Sequence, residues 1–177
     1  MDVTFTKVPG RRYRMTVVRE RGPEPAPRQG PGYDDWLPHD AVHFLVEAGA
    51  GLSGGVFGRI AAGRSNNLLG GRSCGQEAPG ATGGQAAAEQ AEHADMARSK
   101  ALASACEPLW RVRAGVCSEL PDRCSSGESH LGEPQLVERI LYRLDEFAER
   151  RHALPPGGSV TLRWQPSGQR SARRTRH

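Results

Sequence analysis

His39, Asp40, His43 and Glu47 fall together in the stretch "HDAVHFLVE", and these residue types at this spacing can hold a metal. On a helix turning 100° per residue, His43 lies about 40° from His39, Glu47 about 80° and Asp40 about 100°. Val42, Leu45 and Val46 fall near 300°, 240° and 340°, so the four polar residues share the side opposite the apolar one. Imidazoles at i and i+4 chelate one divalent ion such as zinc, with a carboxylate as third ligand. His39, His43 and Glu47 are therefore the expected ligands. Asp40 would orient a ligand or act as a base on a metal-bound water. No Lys or Arg between 36 and 48 neutralises this face. The same arrangement also serves as the wet side of an amphipathic helix. A non-catalytic interaction or structural module without metal is thus the competing expectation.

Other motifs carry less. "GLSGG" at 51–55 has the letters of a GxSxG nucleophile elbow, but the elbow requires a strand before it and a large parallel sheet. Neither GxxxxGK[ST] nor GxGxxG occurs, so no phosphate loop is expected. Cys74, Cys106, Cys117 and Cys124 form no CxxC pair, and the spacing of Cys117, Cys124 and His130 matches no zinc module. Reduced thiols are the expectation.

Leu, Ile, Val and Phe make up 31 of 177 residues, so the core should be small beside 22 Gly and 13 Pro. The net charge of +4 rests on 22 Arg and only two Lys, Lys7 and Lys100. From Arg163 onward there are five Arg and no acid, a terminal cluster rather than an aromatic-interleaved nucleic-acid surface. No stretch is apolar enough for a membrane span, and "MDVTFTKVPG" lacks the apolar run of a secretion signal. The expectation is a cytoplasmic protein with no membrane and no specific nucleic-acid partner, a protein partner remaining open.

The elements that must position the four residues follow from periodicity. Alternating apolar residues around Pro9-Gly10 predict a β-hairpin from about Val3 to Arg19, Gly accepting the positive φ of a type II turn. The Pro-rich 21–32 segment reads as an extended connector, incapable of helix or ladder. The spacing predicts a helix from about Pro38 to Ala48, with Asp34 or Asp35 helping to cap it and Gly49 or Gly51 ending it. Val56, Phe57 and Ile60 suit a short helix. A flexible segment is expected over 66–88, then a helix from about Glu89 to Cys117 with Ala94, Ala97, Ala101, Leu102, Ala105, Cys106 and Leu109 inward, kinked or divided at Pro108. Residues 119–133 read as a further break.

Leu136, Val137, Ile140, Leu141, Leu144, Phe147 and Ala148 form one apolar stripe behind Pro134. Val160, Leu162 and Trp164 alternate as a last strand. The expected fold is α+β: a small antiparallel sheet, made of the N-terminal hairpin and the C-terminal strand, with about three helices on one face. It forms a single domain over 1–165, followed by a disordered basic tail over 166–177.

"GYDDWLPHDAVHFLVEAG" resembles a segment of small bacterial proteins that carry no assigned activity. The hairpin start and the "VERI…LDEFA…HALPPGGSVTL" end are similar too. Separately, His39-Asp40-Ala41-Val42-His43 is similar to the HDxxH of the zinc-associated coenzyme-Q biosynthesis family. That resemblance implies a helical metal site with a later Glu; Gly55 stands at the Glu position here, and Glu47 is the nearest acid.

Overall fold

The computed structural model describes residues 1–10, 12–20, 24–30, 35–64, 83–120 and 134–165. The expected tail over 166–177, the acid Asp34, and Cys74, Cys124 and His130 lie outside the described residues, as does most of the breaks expected over 66–88 and 119–133.

Strand β1 (Asp2–Val8) pairs antiparallel with β2 (Arg12–Val18), and Gly10 between them takes φ +80°. Only glycine accepts that φ without strain. Alternation sends Val3, Phe5, Tyr13, Met15 and Val17 to the buried face, while Arg12 and Arg14 stay exposed. A two-residue strand β3 (Arg28–Gln29) pairs with Arg14 and Met15. This corrects the reading of 21–32 as incapable of a ladder: past Pro27 the chain regains its N–H donors and pairs at the sheet edge, where proline is tolerated nearby.

Helix α1 (His39–Ala50) ends at Gly51, which takes φ +70° and lets the Leu52 N–H reach the Glu47 carbonyl. Pro38 is its N-cap and makes no side-chain cap bond. The Tyr13 hydroxyl accepts from the Asp40 N–H at 3.3 Å. Helix α2 (Val56–Ala61) follows the expected short segment.

Helix α3 (Gly83–Arg113) begins within the segment expected to be flexible and runs through Pro108 undivided. Its inward side holds Leu102 and Cys106 as expected but differs elsewhere. Ala94, Ala97 and Ala101 are exposed, while Ser99, Leu102, Ala103, Cys106 and Trp110 are buried. Large side chains decide which side is inward, because burying them removes more apolar surface from water than burying alanine methyls. Trp110 fixes that rotation further by donating its indole N–H to Asp145 at 2.7 Å.

Helix α4 (Pro134–His152) buries the predicted stripe, with Val137 only half-buried. Strand β4 (Ser159–Arg163) pairs antiparallel with β1, giving the order β3-β2-β1-β4. The fold is α+β: an antiparallel sheet with its apolar side against the helices. The core joins Phe5, packed edge-on against Phe147 at 5.6 Å, to the α1 residues Val42, Phe44 and Val46. Helix α1 lies at the centre, touching α2, α3 and α4. Among the described residues, no helix is long and apolar enough to cross a membrane.

Candidate functional site

Because α1 is covered on more than one side, its polar residues are not a uniformly wet face. Glu47 is fully buried and Asp40 nearly so, while His43 is half-buried and His39 exposed. The helical wheel placed the four residues on one side, whereas Asp40 turns to Tyr13 and Arg28 and Glu47 to α2 and α3. It could not show that α3 and the loop before α2 would cover that side.

Glu47 is bound from three directions. Its Oε1 accepts the Val56 N–H at 3.0 Å and the Ser99 hydroxyl at 2.8 Å, and its Oε2 accepts the Phe57 N–H at 2.8 Å. The N-cap of α2, Gly55, has no side chain and so makes no side-chain cap bond. A carboxylate reaching over from α1 therefore satisfies amides that helix geometry leaves without partners, at the end where negative charge is favoured. Burial pushes the Glu47 carboxyl up from its ordinary pKa, while the bonds from Ser99, Phe57, Val56 and Gly58 pull it back down.

The glycines of "GLSGGVFG" make this approach feasible. A Cβ on Gly55 would meet the Glu47 carboxyl carbon at 2.4 Å, and one on Gly54 would meet the Glu92 backbone at 2.7 Å. The Gly54 N–H donates to Asp95 Oδ2 at 2.8 Å, and Glu92 pairs with Arg59 and Arg64. Thus "GLSGG" is a close-packed crossing between α1, α2 and α3.

His43 joins the network through Ser99, its Nδ1 lying 3.1 Å from the hydroxyl oxygen. The Ser99 proton is used toward Glu47, so Nδ1 carries the hydrogen and Nε2 keeps a free lone pair. Burial, with the neighbouring His39 charge, lowers the His43 pKa to about 4, against the opposing pull of Asp40. The ring is therefore neutral at pH 7. Its centroid lies 4.7 Å from that of His39, edge-on at 72°.

Asp40 is held elsewhere. Arg28 Nη2 donates to both its oxygens at 2.8 and 2.7 Å, and the Tyr13 hydroxyl donates at 2.9 Å. Burial and the Asp40 charge raise the Tyr13 pKa, keeping that phenol protonated. Just past β3, a Cβ on Gly30 would strike the Tyr13 ring within 2.2 Å, so the chain passes close over that ring.

The fold thus brings His39 and His43 together, links Glu47 to His43 through Ser99, and ties Asp40 to the sheet. Among the described residues, no group of three or more His, Cys, Asp or Glu side chains converges as a metal site would. Cys106 is buried, its thiol pushed up to about 11 by burial, and Cys117 is exposed; both are free thiols. Ser99 and Gly55 were missed in the sequence reading. Their signals were a lone Ser on the large-residue side of α3 and a Gly doublet directly before a helix. Comparison with models of known families, with curated proteins and with solved structures finds no match.

Proposed function

We propose that this protein is a non-catalytic interaction module in which the His-Asp-His-Glu segment is an internal bracket. The observation that carries this reading is the buried Glu47 carboxylate, whose two oxygens accept from the α2 amides and Ser99. Buried carboxylates need such partners, and a carboxylate already holding three donors is poorly placed to leave them for a metal. Asp40 is likewise engaged by Arg28 and Tyr13, which removes the candidate base from a solvent-facing role. The experiment is a zinc titration of thermal stability in the parent and in His39→Ala/His43→Ala. Equal zinc responses in the two proteins support the bracket.

A second reading keeps a divalent metal, such as zinc, on His39 and His43. It is favoured by the neighbouring imidazoles of His39 and His43, whose ring centroids lie 4.7 Å apart. Glu47 would then brace His43 through Ser99, as carboxylates commonly brace metal-binding histidines, instead of binding the ion as in the three-ligand expectation. That reading requires a zinc-dependent rise in melting temperature that disappears in the double alanine variant.

A further inference from the structure

The sheet ends at β4, and the cleft beside that edge has a definite chemical character. Trp164 donates its N–H to the Met1 carbonyl, and the Lys7 N–H donates to the Gly158 carbonyl. In an antiparallel ladder, main-chain groups alternate between the two edges. The N–H and C=O of Ser159, Thr161 and Arg163 therefore point away from β1, and among the described residues no strand lies there.

Next to this edge is a cleft of about 210 Å³ between α1, α4 and the end of β4. Phe44, Phe147 and Leu162 contribute its apolar part, and Arg143, Arg150 and Arg163 stand around it. Glu146 is the acid in the lining. Arg163 makes an exposed pair with Glu20 at 3.3 Å, whereas Arg143 and Arg150 have no ion pair among the described residues. Exposed pairs of that kind neutralise little. Tyr142, 61% exposed, lines an adjoining hollow that shares Arg143 and Glu146 with the cleft.

We propose that β4 is a docking edge for an extended acidic peptide segment, added as a fifth strand with an apolar side chain in the cleft and carboxylates on Arg143 and Arg150. This rests on the interaction-module reading and names its partner. Strand addition uses main-chain hydrogen bonds for affinity and alternate side chains for specificity, and both are presented here. The chain's own residues 166–177 carry four Arg and no acid, the wrong sign for the cleft. A second copy paired edge to edge would bring the same arginines together, a like-charge contact. Nucleic acid matches the sign but uses neither a strand edge nor an apolar cleft.

The test titrates a fluorescent octapeptide alternating Glu with Val and Phe into the full chain. Two comparison peptides carry Lys in place of Glu, or N-methyl groups on alternate residues. The expected result is binding at least tenfold tighter than that of either comparison peptide. Binding should weaken at least tenfold in Arg143→Glu and in Arg150→Glu, and the Thr161 and Arg163 amides should gain exchange protection.

Absence of binding, or equal binding of the Lys or N-methylated peptide, overturns the proposal on the parent protein alone. So does preferential binding of a single-stranded oligonucleotide, or self-association that Thr161→Pro abolishes. The zinc titration separates the two levels. A flat zinc response with a silent peptide removes only the docking edge, whereas zinc stabilisation that requires His39 and His43 removes the underlying reading.

Discussion

The Glu47 carboxylate occupies space that a side chain at position 55 would fill: a Cβ on Gly55 would lie 2.4 Å from its carboxyl carbon and 2.5 Å from Oε2. Gly55 itself has φ −68° and ψ −178°, extended backbone open to any residue. Its requirement for glycine is therefore steric. Gly55→Ala should cost about 1–3 kcal/mol through overpacking, read as a lower urea midpoint at unchanged slope. A neutral result would mean that Glu47 moves aside without loss.

Ser99 bonds both His43 and Glu47. Ser99→Ala should cost about 1–3 kcal/mol, because the buried Glu47 oxygen loses a donor and the His43 Nδ1–H loses its acceptor. Nitrogen NMR of the His43 ring should also show the Nδ1–H tautomer losing its dominance. An unchanged ring spectrum would contradict the assigned proton arrangement.

The lowered His43 pKa gives a pH dependence with a definite sign. The folded value is about 4 against an ordinary 6.5. Between these values the unfolded chain takes up a proton that the folded chain refuses, so stability falls as pH drops from about 6.5 to about 4. His39, Asp40 and Lys100 are the charged neighbours that modulate it. His43→Asn should flatten this part of the profile in denaturant melts at stepped pH. An identical slope in the variant would assign the effect to other groups.

The rotation of α3 is testable by contrast. Ala101→Glu, on the exposed side, should change stability by no more than about 0.5 kcal/mol, whereas Ala103→Glu, on the buried side, should prevent folding. In the same core, Leu144→Ala should cost about 2–5 kcal/mol. Greater tolerance at 103 than at 101 would favour the inward side through Ala101 that the sequence suggested.

What the sequence made legible follows from how local each signal is. The α4 stripe, the Pro9-Gly10 hairpin and the helix stop at Gly51 depend on neighbours in the chain, and the structure contains all three. The burial of Glu47 depends on Ser99, 52 residues away, and on amides at the start of a six-residue helix. No periodicity within "HDAVHFLVE" carries that information. Strand β3 was hidden for a similar reason, since two residues pair only because Met15 and Arg14 already form an edge. On α3 the alanine count misled because it weighed number over side-chain volume. Tyr13, read as an ordinary inward strand residue, also serves the start of α1 through its hydroxyl.

Glu47 caps α2 across the Gly55 crossing, and a double-mutant cycle between these two residues reads that shared space. Stabilities of the parent, Glu47→Ala, Gly55→Ala and the double variant would be measured in sucrose, which keeps weakened proteins folded for comparison. Gly55→Ala should cost about 1–3 kcal/mol in the parent but little once the carboxylate is gone, a coupling of at least about 1 kcal/mol. Additivity within about 0.5 kcal/mol would show that the two residues do not share that space, and would contradict the bracket.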